Sequence, residues 1–181
     1  MKARLACIIA GTIVVLVMSV SAFGQAGGID VVAEVQKLLP ATCLTKAQVD
    51  PILDAIVPGS SAQLAVAGAC VTKGELAVFM YTVLGLRPSL LESLFGVSEG
   101  EKLAIAQRNN VMVAGSASES ITGAELVAVL LGYVRTLIQT VPLPAGTDLP
   151  RLTALYNDLS KLLPAATLRI LMPGLFPVST S

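Results

Sequence analysis

The sequence has no histidine and no tryptophan, and it is poor in charge. Its 181 residues include 12 Lys+Arg and 12 Asp+Glu, so that charged residues make up 13%, where globular domains carry roughly 25%. No basic excess exists to neutralise phosphates, which argues against nucleic-acid binding. Without histidine, the side chain that most often serves as general base or metal ligand is missing. The 54% of hydrophobic residues excludes a disordered chain.

The N-terminus has the order of residues typical of a bacterial signal peptide. Lys2 and Arg4 are followed by an apolar run over 5–17 and then by mostly small residues up to Ala22. We predict a cleavable signal peptide over 1–22, with cleavage as late as residue 26. The alternative is an uncleaved anchor, although the 18 residues of 5–22 fall short of the about 20 that a spanning helix needs.

Cleavage would leave residues 23–181 as one exported domain, periplasmic or secreted. It removes two basic residues, and the acidic excess that remains is too small to direct binding to an anionic membrane. We therefore expect membrane contact only through the signal peptide, if that stays uncleaved. The remaining chain is still about half apolar, so the signal peptide does not account for the composition.

Cys43 and Cys70 are the cysteines of the exported part. In an oxidising compartment an even number of cysteines favours a disulfide. Closing a loop with a separation of 27 residues would stabilise the fold by about 3.5 kcal/mol in the chain-entropy model. Two buried free thiols are the alternative.

Both cysteines open the same phrase: Cys, apolar, Thr-Lys, any residue, Gln or Glu, apolar. Thr45 with Gln48, and Thr72 with Glu75, have the spacing of a capping box, in which each side chain satisfies the backbone amide of the other residue. A disulfide at these positions would tie two helix N-termini together.

Similar helix starts recur along the chain at spacings of 24 to 27 residues. Ser98 and Thr122 each have a Glu three positions later, and Asp148 can cap one further helix. The spacing predicts either an eroded repeat of about 26 residues or capped helices that fall at such intervals by chance. The predicted N-caps are Thr45, Thr72, Ser98, Thr122 and Asp148.

Residues 71–86 read VTKGELAVFMYTVLGL. This stretch resembles the closing helix of S-layer homology domains, which shows Thr-Arg/Lys-x-Glu-Phe/Leu-Ala and ends in a Leu-Gly-Leu-like phrase. The resemblance would imply anchoring to cell-wall polysaccharide. It covers 16 residues, and the aromatic-rich first helix and Gly-containing loop of that family have no counterpart upstream, so we do not assign the chain to it.

The periodicity predicts an all-α fold: a single compact domain of about six to eight short helices with a short flexible C-terminal tail. The segment Gly123–Thr140 is the most apolar helix and should be central, with Arg135 and Gln139 arguing against a membrane span. Val111–Ala114 is the strand candidate. The predicted helices are Val31–Leu39, Lys46–Val57 with a kink or late start at Pro51, Lys73–Leu86, Pro88–Phe95, Glu99–Arg108, Gly123–Thr140 and Leu149–Leu163, with helical turns at Gln63–Ala69 and Thr167–Met172.

Two patterns suggest catalysis and fail on chemistry. Gly96–Gly100 matches the Gly-x-Ser-x-Gly nucleophile elbow, but that motif needs a preceding strand and a histidine base, so we interpret Ser98 as an N-cap. Asp50 and Asp54 could pair as glycosidase carboxylates do, yet a helix start and a solvated face explain them better. Two cysteines fall short of a zinc site. We predict no enzyme, no cofactor and no metal.

Two functional hypotheses remain. The first is an exported helical interaction or structural protein of the bacterial cell envelope, which uses apolar surface to bind another envelope protein or copies of itself. The second is a carrier that holds an apolar ligand such as a lipid in a cavity between helices.

Overall fold

The computed structural model describes residues 29–88 and 96–175. Three predictions fall outside these ranges: the signal peptide, nearly all of the helix Pro88–Phe95, and the C-terminal tail beyond residue 175. In the described part the chain forms seven α-helices and no β-strand, and residues from Val31 onward belong to one compact unit. The prediction of a single all-α domain is confirmed.

The helices follow the predicted order along the chain. Each ends one to four residues before its predicted C-terminus or at it, because the last turn unwinds into the connection that follows. The α-helices are α1 (Val31–Leu38), α2 (Lys46–Ile56), α3 (Lys73–Val83), α4 (Glu99–Arg108), α5 (Gly123–Gln139), α6 (Leu149–Leu159) and α7 (Ala165–Leu171); 3-10 turns lie at Ser60–Gln63 and Pro173–Leu175.

Helix α5 forms the centre of the fold. Nine consecutive residues, 126–134, are buried, so every face of the helix contacts protein. This burial follows from the all-round apolar sequence, since such a helix has no polar face to turn toward water. Tyr133 is fully buried and meets the Phe79 ring edge-on, with ring centroids 6.0 Å apart. Helices α6, α1 and α7 lie against α5, while α3 packs most extensively against α4.

One glycine sets how closely α1 approaches α5. A Cβ atom at Gly123 would lie 1.8 Å from the Leu38 carbonyl oxygen and 2.9 Å from the Leu39 Cα. The backbone amide of Gly123 instead donates to the Ala41 carbonyl at 2.8 Å. The end of α1 therefore packs directly on the backbone of the first turn of α5, where no side chain would fit.

Two local predictions are wrong, and of the two alternatives at Pro51 the late start is excluded. Val111–Ala114 is not a strand: Val111, Met112 and Val113 are buried in the core as an irregular connection. The helical turn expected at Gln63–Ala69 lies earlier, at Ser60–Gln63, because the Asp54 carboxylate accepts hydrogen bonds from the amide and hydroxyl of Ser61 and fixes the turn there. Helix α2 begins at Lys46, so Pro51 does not delay its start.

Candidate functional site

The starts of three helices lie side by side and are joined through their backbones. Leu44, Val71 and Ile121 each stand one residue before the N-cap of α2, α3 and α5, and all three are fully buried. The Val71 amide donates to the Leu44 carbonyl at 2.7 Å, and the Ile121 amide donates to the Val71 carbonyl at 3.0 Å. We call this row of three residues the helix-start ladder.

The disulfide pair lies directly beside this ladder. Cys43 and Cys70 precede Leu44 and Val71 in the sequence, and their Cα atoms are 5.5 Å apart. The bond between their sulfurs and the Val71-to-Leu44 hydrogen bond therefore link the same two segments. Their joint effect is to hold the starts of α2 and α3 together, as the repeated phrase suggested.

All five predicted N-cap residues occupy N-cap positions. In three capping boxes the hydroxyl accepts from the amide three residues later while the Glu carboxylate accepts from the N-cap amide. At Thr45, the Gln48 side chain accepts from the Thr45 amide at 2.9 Å, and Asp148 accepts from the Arg151 amide at 3.2 Å. The three complete boxes are Thr72 with Glu75, Ser98 with Glu101, and Thr122 with Glu125.

A buried lysine connects two of these helix starts. Lys73, the first residue of α3, is 5% exposed. Its Nζ atom lies 2.7 Å from Glu119 Oε2, 2.9 Å from Glu125 Oε1 and 3.0 Å from the Ala114 carbonyl oxygen. The Glu125 side chain is 15% exposed and that of Glu119 52%, so the ion pair with Glu125 is the better shielded of the two.

The carboxylates explain why a lysine is tolerated at this position. A positive charge in the first turn of a helix opposes the helix dipole. Burial alone would lower the pKa of Lys73, but its hydrogen bonds to Glu119 and Glu125 outweigh burial and raise the pKa above 10.5. Burial would likewise raise the pKa of Glu125, yet the bonds from Lys73 and Thr122 hold it below 4.5. The ammonium group is thus held charged in the interior, as a structural ion pair.

Sequence reasoning missed this cluster. The signal that could have found it is a lysine at the first helical position of an apolar helix, since such a charge needs a compensating partner. The partners themselves lie 46 and 52 residues further along the chain, and no pattern in the sequence links them to Lys73. Only the folded chain brings the loop before α5 against the start of α3, where the Lys73 amide donates to the Glu119 carbonyl at 2.8 Å.

A polar pocket lies where the ends of α4 and α5 meet. Its volume is about 250 Å³. Two of its residues, Arg135 and Gln139, were considered above only as evidence against a membrane span. The pocket is lined by Arg108, Asn109, Asn110, Arg135, Thr136 and Gln139. We call it the arginine pocket.

Close backbone contacts build the floor of the arginine pocket. Asn110 has a φ of 54°, in the left-handed region that asparagine tolerates better than most residues. A Cβ at Gly132 would lie 2.3 Å from the Asn110 carbonyl oxygen, and a Cβ at Gly174 would lie 1.8 Å from Asn110 Oδ1. The two glycines therefore allow the asparagine turn to sit between α5 and the segment after α7.

The residues with catalytic spacing have structural roles instead. Ser98 is exposed and caps α4. Asp50 pairs with Lys46 at 2.8 Å, while Asp54, expected on a solvated face, is half-buried and bound to Ser61. No cluster of three His, Cys, Asp or Glu that could hold a metal occurs among the described residues.

The hydroxyl group of Tyr133 is a buried polar group in the core. Tyr133 is fully buried, and its oxygen has no hydrogen-bond partner among the residues that the structure describes. Burial raises the pKa of Tyr133 above its usual value, an effect that the nearby Ser60 hydroxyl only partly offsets. Ser60 itself donates to the Leu53 carbonyl at 3.1 Å. The phenol is therefore a neutral group within the core.

The chain has no significant match among known proteins. No family model matches the chain, and neither the curated proteins nor the solved structures contain a significant match. Within residues 29–88 and 96–175, no helix has both the length and the apolarity needed to cross a membrane.

Proposed function

We propose that the protein is an exported, non-catalytic helical interaction module of the bacterial cell envelope, which binds another envelope protein or copies of itself through apolar side chains. The observation that carries this proposal is the exposure of large aliphatic residues in the C-terminal third. Val141 is 92% exposed, Ile170 80% and Leu149 45%. Contiguous patches of exposed apolar side chains mark contact surfaces, and we propose that these three residues contribute to one such patch.

The rigid part of the molecule supports the same proposal. The starts of α2, α3 and α5 are held by the disulfide, the helix-start ladder and the buried ion pair of Lys73. Such a framework fits a structural role, and the C-terminal segment with the exposed aliphatic residues is attached to it through the contact of α6 with α5. Export is supported by the signal-peptide pattern and by the cysteine pair, since disulfides persist in oxidising compartments.

The lipid-carrier hypothesis has less support. The arginine pocket is lined by six polar residues, and an acyl chain would find no apolar wall there. Around α5 the interior is filled by side chains such as Phe79 and Tyr133. No observation in the described residues favours a cavity for an apolar ligand.

Self-association and partner binding can be tested with the same variant. We expect the exported protein either to form a concentration-dependent oligomer in sedimentation velocity or to give one defined cross-linked adduct in cells through a photoreactive residue in place of the exposed Arg169, beside Ile170. Changing Val141 and Ile170 to Ser should abolish the oligomer or the adduct. The thermal midpoint should not move, because exposed positions contribute little to stability.

The matched control is Ile29→Ser, which changes an aliphatic residue that is 40% exposed outside the C-terminal third. It should leave the oligomer or adduct unchanged. A strictly monomeric protein without an adduct, or an adduct that survives the double substitution, contradicts the proposal. Recovery of stoichiometric lipid by organic extraction and mass spectrometry would favour the carrier.

A further inference from the structure

We propose that residues 114–120, which we call the strap, are released from the start of α3 in acid while the helices of the fold stay packed. The strap lies across the first turn of α3. The Lys73 amide donates to the Glu119 carbonyl at 2.8 Å, and the Gly74 amide donates to the Ala117 carbonyl at 2.9 Å. This segment is separate from the exposed aliphatic residues of the proposed function.

The strap is held mainly by polar contacts. All seven of its residues are exposed or half-buried, and Ala117 is the side chain with which it packs against the core. The residues on either side, Val113 and Ile121, are buried. Besides the contacts with α3, Gln107 Nε2 donates to the Gly115 carbonyl at 3.4 Å. The strap can therefore open between two fixed ends without exposing a large apolar side chain, and segments of this kind open at lower free energy than the core.

The ammonium group of Lys73 is the centre of this attachment. Its Nζ atom lies 3.0 Å from the Ala114 carbonyl oxygen and 2.7 Å from Glu119 Oε2, near the two ends of the strap. A Cβ atom at Gly115 would clash with the ammonium group, so the backbone of the strap follows its surface closely. A further contact is Glu125 Oε1 of α5 at 2.9 Å. One cation thus holds both ends of the strap, and two carboxylates neutralise that cation.

Protonation of the two carboxylates makes the buried position of Lys73 unfavourable. With Glu119 and Glu125 neutral, Lys73 is an unpaired cation that is 5% exposed in the first turn of a helix. Burial and the helix dipole both disfavour a cation at such a position. Opening of the strap returns the ammonium group to water. The closed strap therefore depends on the charge of its carboxylate partners.

The pKa values of these partners set the range of pH in which release occurs. The pKa of Glu119 lies below 4.5 because Lys73 donates to it. The pKa of Glu125 is also below 4.5, because hydrogen bonds from Lys73 and Thr122 outweigh burial. Lowered values of this kind stabilise the closed strap above about pH 4.5. This stabilisation is lost as the pH falls through the lowered values.

The other carboxylates on α3 and α4 cannot replace the partners of Lys73 in acid. Glu99 Oε1 lies against the start of α3, where a side chain at Gly74 would clash with it. Glu75 and Glu101 accept hydrogen bonds in their capping boxes. All three are carboxylates and lose their charge at low pH. Their protonation therefore acts in the same direction as that of the partners.

The cations of the neighbouring helices have other contacts. Lys102 of α4 lies over a tyrosine ring, 5.5 Å from its centroid, and Lys37 of α1 pairs with Glu34 at 2.6 Å. Arg108 and Arg135 line the arginine pocket at the ends of α4 and α5. The cation that loses its partners when the strap is protonated is therefore the buried ammonium group.

The links between the helix starts do not depend on the strap. The disulfide and the Val71-to-Leu44 hydrogen bond join the starts of α2 and α3. The Gly123 amide donates to the Ala41 carbonyl, between α1 and α2, at 2.8 Å. These links are a covalent bond and backbone hydrogen bonds, so they do not titrate in acid. Release of the strap can therefore precede separation of the helices.

The test is amide hydrogen exchange of the ¹⁵N-labelled exported protein, measured by NMR between pH 6 and pH 2.5. Rates are expressed as protection factors relative to an unfolded chain, which removes the intrinsic pH dependence of exchange. The Lys73 and Gly74 amides report on the strap, and the Val71 and Gly123 amides report on the helix starts. Protection at the strap should fall by about tenfold or more, since loss of one hydrogen bond to a charged group has at least that effect. Protection at the helix starts should fall by a smaller factor.

Glu119→Gln imitates protonation at pH 6, because its side-chain oxygen can still accept a hydrogen bond but carries no charge. It should lower the protection factors of Lys73 and Gly74 by about fivefold, the factor that separates a charged from a neutral hydrogen bond. The matched control is Glu34→Gln, which neutralises the carboxylate of an exposed pair with Lys37 in α1. The control should leave the protection of the strap unchanged.

A selective loss of protection at Lys73 and Gly74 in acid, reproduced at pH 6 by Glu119→Gln, supports the acid-released strap. The proposal is overturned if the strap and the helix starts lose protection by the same factor, or if the strap keeps its protection in acid. It is also overturned if Glu119→Gln behaves like Glu34→Gln. These measurements do not involve the oligomer or the cross-linked adduct, so the two proposals can fail separately.

Discussion

The helix starts around Leu44, Val71 and Ile121 are fastened far more strongly than the two C-terminal helices. The first region has a disulfide, a buried ion pair and capping boxes with carboxylates. The N-cap of α7 is Pro164, which makes no side-chain capping bond, and at α6 the Asp148 carboxylate accepts a single bond from the Arg151 amide. The chain therefore divides into a framework and a more weakly attached end.

The C-terminal helices are attached mainly through apolar side chains, without the covalent and buried ionic links of the framework. Helix α6 buries Leu152 and Leu159, and α7 buries Leu168. Arg151 adds a hydrogen bond from its side chain to the Ala55 carbonyl at 2.7 Å. Because α7 buries a single side chain and has no side-chain cap, we expect it to open at lower free energy than the core. The exposed Ile170 lies on this helix.

The disulfide should be the largest single contribution to this difference. Replacing both Cys43 and Cys70 by Ala should lower the free energy of unfolding by about 3.5 kcal/mol, since the unfolded chain regains the entropy of a loop with a separation of 27 residues. Chemical denaturation at equilibrium measures the change. Alkylatable thiols in unreduced, unfolded protein would show that the two cysteines are not bonded and would contradict the prediction.

Removing the buried lysine should have nearly as large an effect. Lys73→Met leaves Glu125 largely buried without its cation, and breaking a buried pair in this way costs about 3 kcal/mol. Lys161→Met is the control: this side chain is 73% exposed and pairs with Asp158 near the end of α6, so the free energy of unfolding should change by less than about 0.5 kcal/mol. If both variants lowered the free energy of unfolding equally, the framework and the C-terminal helices would not differ in the strength of their ion pairs, and the prediction would be contradicted.

The same ion pair predicts a loss of stability in acid. The pKa values of Glu119 and Glu125 lie below the usual 4.5 in the folded state, the first because Lys73 donates to it and the second because Lys73 and Thr122 outweigh burial. The unfolded state therefore binds more protons, and the contribution is complete above about pH 4.5 and lost as the pH falls through the lowered values. Urea denaturation between pH 6 and pH 2.5 should show this decline.

In the Lys73→Met variant the free energy of unfolding should fall less steeply in acid, but it should still fall. Glu75 keeps a lowered pKa of its own, because hydrogen bonds from the amides of Ala67 and Thr72 outweigh burial. At the alkaline end the contribution of Lys73 to the free energy of unfolding should be lost only as the pH rises above 10.5, since the pKa of Lys73 is raised in the folded state. A pH profile identical in both proteins would contradict the assignment to Lys73.

Loss of a helix cap should give the smallest of the four effects on the free energy of unfolding. The loss should again be larger in the framework than in the C-terminal helices. Thr122→Ala removes a hydroxyl that accepts from the Glu125 amide at 3.3 Å, and should cost about 1 kcal/mol or more. Asp148→Ala removes one exposed bond of 3.2 Å and should cost about 0.5 kcal/mol. Thermal denaturation of both variants under one condition gives the comparison, and a larger loss for Asp148→Ala would reverse it.

The features predicted from the sequence are those that neighbouring residues determine. Each capping box lies within four residues, so Thr72 with Glu75 is recognisable before any fold is known. The pairing of Cys43 with Cys70 could be predicted because the same pattern of residues begins at both cysteines. The central position of α5 followed from its composition alone.

The features that were missed depend on contacts between distant segments. Val111 to Val113 have the β-branched and apolar composition of a strand, but no second strand in the described part of the chain pairs with them, and they are buried in the core as an irregular connection. The partners of Lys73 and the convergence of Arg108 with Arg135 arise from the packing of helices, which leaves no local trace in the sequence. The candidate pocket was therefore beyond sequence reasoning.

Gly123 restricts how far the sequence of this fold can change during evolution. Aliphatic core residues such as Leu126 and Leu130 can be exchanged for others of similar volume over evolutionary time. Position 123 has no such freedom, because any side chain would separate α1 from α5 at their backbones. Descendants of a common ancestor should therefore retain glycine here long after their interiors have ceased to align, and the phrase Thr-Gly-x-Glu at the start of an apolar helix is the trace by which a distant relative would be recognised.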